Sequence, residues 1–139
     1  MKEYNSNINS DIFQQLKVSK VLILKDSKSI NLFELIYFLI TKRFRGFVVD
    51  DYLFPISDKS TLLEAIYYQI GLIDMYDLNW DALQEALESY VKNNDCGLVI
   101  IFRNGLELNE LLKDEFKVLE EIMENLSNDN EIKNRIILG

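Results

Sequence analysis

The sequence predicts an α/β fold, built on a small parallel sheet of three to four strands that helices flank. Short apolar runs at residues 21–24, 47–49 and 98–102 have the length and continuity of buried strands, and residues 132–138 are predicted to form the last strand. Helical patterns separate these runs, and strands that alternate with helices form parallel sheets through right-handed crossovers. The 139 residues include one proline and no linker-like stretch, which indicates a single domain.

The N-terminal part of the chain contributes a tail and an additional β-α unit. Residues 1–11 are polar, and we expect them to be a disordered tail ahead of a domain at 12–139. After the first strand, a helix begins at the N-cap residue Asn31 and runs to about Phe44, where Gly46 stops it. Its apolar residues, 32–40, are expected to lie against the sheet, with self-association as the alternative.

The rest of the chain supplies three further helices. Thr61 and Glu64 fit a capping box that opens a helix ending at Gly71. The next helix starts after Asn79 and runs to about Lys92. A long amphipathic helix is predicted at residues 109–126, before the closing strand.

The composition excludes several classes of function. The chain has no histidine, which removes Ser-His-Asp and Cys-His catalysis and most zinc sites, so we predict neither a metal nor a cofactor. A single cysteine and no apparent signal peptide or membrane span predict a cytoplasmic protein. The net charge of −8 disfavours direct binding to nucleic acid and suits a basic protein partner.

The helix after Asn79 carries an unusual concentration of acid. Between residues 60 and 91 there are six acidic residues and no lysine or arginine. At 100° per residue, this helix places its core residues on one face and its polar residues on the other. The polar face consists of Asp81, Gln84, Glu85 and Glu88. Such a face is either an ordinary solvated surface or a binding site for a cation-rich partner.

Residues 75–87, Met-Tyr-Asp-Leu-Asn-Trp-Asp-Ala-Leu-Gln-Glu-Ala-Leu, resemble the signature of barstar-like ribonuclease inhibitors. In that signature an aromatic residue precedes Asn, an apolar residue, Asp-Ala-Leu and a second acid, which Tyr76, Asn79, Asp81 and Glu85 match. The likeness covers roughly residues 45–139 and leaves residues 12–44 as an N-terminal extension packed on the family fold. Asp77 replaces the family's glycine, Glu85 stands where aspartate is more familiar, and Gln84 stands where some members carry tryptophan.

The resemblance implies a bacterial intracellular inhibitor of the immunity type, which blocks the active site of a basic ribonuclease or nuclease toxin. Asp81 and Glu85 would pair with catalytic cations of the nuclease, Tyr76 would pack on its surface, and Asn79 would hold the loop and cap the helix. Asp77, Gln84 and Glu88 complete the predicted partner-binding set. The departures at residues 77, 84 and 85 imply a different cognate enzyme.

Two alternatives accompany this hypothesis. The same acidic face could serve a non-inhibitory interaction or regulatory module. Asp81 and Glu85 could also act as a catalytic carboxylate pair, but one exposed helix face lacks the enclosing cleft that such catalysis requires. We therefore predict a protein that is not an enzyme, binds neither nucleic acid nor membrane directly, and is a monomer.

Overall fold

The computed structural model describes residues 6–18, 21–24, 30–52, 55–71, 77–126 and 134–139. Ten elements follow one another in these ranges: α1 (Ser6–Leu16), β1 (Val21–Ile23), α2 (Leu32–Thr41), β2 (Phe44–Asp50), α3 (Lys59–Ile70), α4 (Trp80–Asn94), β3 (Gly97–Arg103), α5 (Gly105–Leu111), α6 (Lys113–Asn125) and β4 (Arg135–Leu138). None of the helices in these ranges is long and apolar enough to cross a membrane.

The four strands form one parallel sheet in the order β1-β4-β3-β2. The register places Ile100 of β3 beside Phe47 of β2 on one side and beside Ile136 of β4 on the other. Because β3 and β4 lie in the middle, residues 98–102 and 136–138 are continuous apolar runs, as is typical of strands buried on both faces. The prediction of a small parallel sheet flanked by helices is confirmed.

Two hydrophobic cores cover the two faces of this sheet. Helices α3, α4, α5 and α6 pack on one face, around Leu98, Ile100 and Phe102 of β3. Helices α1 and α2 pack on the other face, against Val99 and Ile101. Alternate residues of the same central strand therefore serve two separate cores.

The N-terminal β-α unit is integrated into the sheet, as the sequence predicts. β1 pairs with β4, with Leu22 opposite Ile137. α1 begins at Ser6, so residues 6–11 are helical although the sequence analysis assigns them to a disordered tail. The helix extends toward the N-terminus because Ile12 and Leu16 bury one side of it against the second core.

The boundary between α2 and β2 differs from the prediction. α2 ends at Thr41, and Arg43 adopts a left-handed conformation with φ 67° that turns the chain into β2. Phe44 therefore begins the strand and is buried in the second core, whereas Gly46 lies inside the strand and ends no helix. The three-residue strand at 47–49 is in fact the centre of a seven-residue strand.

Two further helix limits also differ. Asp58, rather than Thr61, is the N-cap of α3, and its carboxylate accepts a hydrogen bond from the Thr61 amide at 2.9 Å. The helix predicted at 109–126 is two helices that meet at Leu112, and the first begins at Gly105. The predicted ends at Gly71, which is left-handed, and the N-caps at Asn31 and Asn79 are confirmed.

Candidate functional site

Helix α4 begins at Trp80, directly after the predicted N-cap residue Asn79. Asn79 has an extended backbone, and its Oδ1 accepts a hydrogen bond from the amide of Ala82 at 2.7 Å. This bond satisfies one of the free amides at the helix start. Asp81 lies in the first turn and Lys92 in the last, so each charge complements the helix dipole.

One face of α4 fixes the orientation of the other. Leu83, Ala86, Leu87 and Val91 are buried in the core that α3, α5 and α6 share. Because this face is anchored, the polar positions must point outward. Asp81 and Glu85 are exposed on the crest of the helix, while Gln84 and Glu88 lie half-buried along its flank. The structure therefore places these four predicted site residues on one surface, which we call the α4 acidic face.

The segment before α4 is tied to α3 at its end. The hydroxyl of Tyr67, which is buried, donates a hydrogen bond to the carbonyl of Asp77 at 2.9 Å. The amide of Asn79 donates to the same carbonyl at 3.0 Å. The side chain of Asp77 is exposed beside the helix start. Tyr76, the aromatic residue of the predicted set, lies outside the described residues.

A second contact holds the start of α4 against α6. The Trp80 indole Nε1 donates a hydrogen bond to Glu115 Oε2 at 3.0 Å. The two residues are 35 positions apart in the sequence, and no local motif indicates this contact. Tyr67 and Glu115 are thus positioning residues that the sequence analysis does not identify. A tyrosine within an aliphatic core face is the available hint for Tyr67, because a buried hydroxyl needs a partner. No comparable hint exists for Glu115.

The negative charge of the α4 acidic face is not compensated by ion pairs within the described part of the chain. Among the described residues, Asp81, Glu85 and Glu88 form no ion pair, and the Arg43–Asp95 pair at 2.8 Å lies at the opposite end of the helix. Asp81 and Glu85 are neighbours at i and i+4, a spacing at which like charges destabilise a helix by a few tenths of a kcal/mol. No lysine or arginine within one turn of these residues on α4 reduces the repulsion.

The α4 acidic face lies outside the cleft at the ends of the strands. A cleft of about 420 Å³ lies at the carboxyl ends of the strands, where Asp50, Arg103 and Asn104 contribute to its lining, and none of the α4 acidic residues does. Asp81 and Glu85 are exposed, without the enclosing cleft that a catalytic carboxylate pair requires. Exposed carboxylates on a rigid helix are suited to accept hydrogen bonds from arginine or lysine of another molecule.

Comparisons with known proteins identify one family and one similar fold. The family model described as Barstar (barnase inhibitor) matches residues 52–138, which include the whole of α4. No curated protein matches the chain. The solved structure of the Aeropyrum pernix ORC2 protein with ADPNP and ADP aligns with a TM-score of 0.65 and 12% identity, over 96% of this chain. Its ADP form gives a TM-score of 0.64 at the same identity. The chain spans 39% of the length of each ORC2 structure, and the likeness concerns the fold alone.

Proposed function

Because the chain belongs to the Barstar (barnase inhibitor) family, we propose that it is a cytoplasmic inhibitor of the immunity type, which binds a basic ribonuclease or nuclease toxin and blocks its active site. The α4 acidic face and the preceding loop form the binding surface in this proposal. The partner is a protein, and nucleic acid and membrane are not direct ligands. The inhibitor itself catalyses no reaction.

The uncompensated charge of the α4 acidic face is the observation that carries this proposal. A nuclease active site holds cations that bind the phosphates of its substrate. Asp81 and Glu85 present carboxylates from one face of a helix, and four aliphatic residues beneath them fix that helix to the core. Because the helix backbone is already ordered, these carboxylates can occupy phosphate positions at the entropic cost of fixing their side chains alone.

Desolvation decides which charges contribute to affinity. Carboxylates at the rim of a complex stay solvated and contribute little, whereas those in the centre form charge-assisted hydrogen bonds of about 1.5–3 kcal/mol each. Asp81 and Glu85 on the crest are the candidates for the centre. Gln84 and Glu88 on the flank, together with Asp77, then surround that centre and tune the choice of partner.

Position 77 bears on which nuclease is bound. Asp77 replaces a glycine of the family signature, and its side chain is exposed at the start of α4. A carboxylate there adds a negative charge to the loop that would enter the active site. We infer that the cognate nuclease presents an additional cation to this loop, which a glycine-bearing relative would not require.

Affinity capture tests the proposal. The full chain serves as bait in a lysate from the source organism, beside a bait with Asp81→Asn and Glu85→Gln. We expect a basic nuclease on the wild-type bait, loss of that nuclease on the double variant, and inhibition of its activity by the purified wild type. A captured partner without nuclease activity, or capture of the nuclease by both baits, would contradict the proposal.

A further inference from the structure

Helix α2 is apolar on both of its sides, which is unusual for a helix on the surface of a sheet. Leu35 and Leu39 are fully buried, as the sequence analysis expects for residues 32–40. Three others, spaced at i, i+4 and i+7, are not: Phe33 is 86% exposed, Tyr37 73% and Ile40 45%. The two aromatic residues alone expose roughly 300 Å² of surface, which is within the range of the largest apolar patch on a typical monomer, a patch that often has a function.

The exposed stripe faces away from α1 and toward strand β2. α1 covers the other flank of α2, where the Phe13 ring meets the Phe38 ring edge to face at 6.3 Å. On the open flank, Ile36 lies over Gly46 of β2, so closely that a Cβ at Gly46 would lie 3.3 Å from its Cγ1. The stripe therefore continues directly onto the outer side of β2.

β2 is a free edge of the sheet. It pairs with β3 on one side, and the strand order gives it no neighbour on the other within the described residues. A groove of about 470 Å³ follows this edge, between a wall from α2 that includes Phe33 and a wall from α3 that includes Gln69. An edge strand of seven residues with an apolar centre is normally protected from pairing by charge, proline or a covering element.

We propose that the stripe and the β2 edge form a dimerisation surface, on which a second copy of this chain adds its β2 in antiparallel orientation. The charges of the strand select both the occupant and the direction. β2 has Arg45 near its start and Asp50 at its end, followed by Asp51. An antiparallel copy brings opposite charges together at both ends, whereas a parallel copy would oppose like charges.

The proposed pairing is two-fold symmetric, so it stops at a dimer and does not extend into a longer assembly. Antiparallel strands that pair through a two-fold axis normal to the sheet keep the same face up, so the two sheets become one sheet of eight strands. With the axis at Val48, Phe47 lies opposite the partner's Val49. Arg45 then lies near the partner's Asp51, which begins the turn after β2 and whose Oδ1 also accepts a hydrogen bond from its own Ile56 amide at 2.8 Å. α2 packs over β2, so the same axis sets the two α2 helices side by side and covers Phe33 and Tyr37.

The dimer leaves the α4 acidic face free. α4 packs on the opposite face of the sheet from α2, in the other hydrophobic core. Each copy can therefore bind its own partner, and self-association is independent of the inhibitor function proposed above.

Sedimentation equilibrium of the full chain tests the surface. We expect a concentration-dependent dimer that Phe33→Ser/Tyr37→Ser weakens about tenfold or more, because each copy loses two apolar side chains from the interface. Leu111→Ser removes an apolar side chain that is 64% exposed at the end of α5, on the other face of the sheet, and should leave the dimer unchanged. A wild type that remains one chain at its highest soluble concentration, or a dimer insensitive to the double substitution, would overturn the proposal.

Cross-linking tests the register. In a Cys96→Ser background, Val48→Cys should form a disulfide-linked dimer under mild oxidation, because directly opposite residues of antiparallel strands lie within disulfide reach. Ile23→Cys on the other edge strand β1 is the control, since that side chain is 50% exposed and should cross-link no faster than by collision. Equal yields at the two positions would refute the β2 pairing.

Discussion

Replacement of Arg135 by methionine should release helix α1 from the sheet. Arg135 lies in β4, is 8% exposed, and donates from Nε to the carbonyl of Leu16 at 2.6 Å and from Nη2 to that of Lys17 at 3.4 Å. These carbonyls are at the C-terminal end of α1, where a helix has no internal donors for them and where a cation is favoured by the dipole.

The magnitude follows from what the substitution leaves behind. A hydrogen bond to a charged group contributes about 1.5–3 kcal/mol, and a buried carbonyl without a donor costs about 1–3 kcal/mol. Burial lowers the pKa of Arg135, which reflects a desolvation cost that methionine does not incur. The avoided desolvation cost offsets part of the loss from the two hydrogen bonds. We therefore expect Arg135→Met to lower the free energy of unfolding by about 2–3 kcal/mol.

Urea denaturation at neutral pH measures this loss, and hydrogen exchange of the α1 amides locates it. Arg103→Met is the matched control, because Arg103 also lies in a strand of the sheet, but its side chain is 56% exposed and lies 4.0 Å from Asp50. That exposed pair should contribute within about 1 kcal/mol. If the two variants were equally stable, or if α1 amides exchanged no faster in Arg135→Met, the anchoring argument would be refuted.

Other predictions concern the supports of α4, α5 and α3. Tyr67→Phe removes the hydroxyl that holds the Asp77 carbonyl, and calorimetry should register a loss of about 1 kcal/mol together with weaker partner binding. Gly105→Ala would place a Cβ 2.9 Å from the Leu138 Cα, so the melting temperature should fall by several degrees, and an unchanged value would contradict the packing. The pKa of Asp58 is lowered below 3.8 by the hydrogen bonds that cap α3. Its stabilisation is therefore complete above that pH and is lost as the pH falls through the lowered folded-state pKa, an acid dependence that Asp58→Asn should abolish while it preserves the cap.

Local signals explain why the sheet and α4 could be predicted from the sequence. Each strand of the sheet contains an apolar run of three to five residues, and burial in the sheet produces that pattern without reference to other parts of the chain. The start of α4 is encoded in the same way, since Asn79 provides its cap and the aliphatic residues that follow fix its buried side. The orientation of Asp81 and Glu85 then follows from helical geometry.

Features set by tertiary contacts were not predictable. The segment at residues 32–46 gives no clear sign that the chain turns at Arg43, because Phe44 suits a helix face and a strand equally well in isolation. For the same reason, the segment did not reveal that α2 buries only one of its two apolar sides. The contacts from Tyr67 and Glu115 to the start of α4 depend on packing between helices that are distant in sequence.

The dissociation constant of the captured nuclease tests most directly whether the α4 acidic face binds a basic nuclease. Wild type is compared with Asp81→Asn/Glu85→Gln and with Asp11→Asn/Glu34→Gln, which removes the same charge from α1 and α2 on the opposite face of the sheet. Loss of two charge-assisted hydrogen bonds predicts a dissociation constant at least about 100-fold higher for the first variant and a change of a few-fold for the second. Equal effects of the two variants would mean that net charge alone drives association, and no effect of either would place the binding site elsewhere.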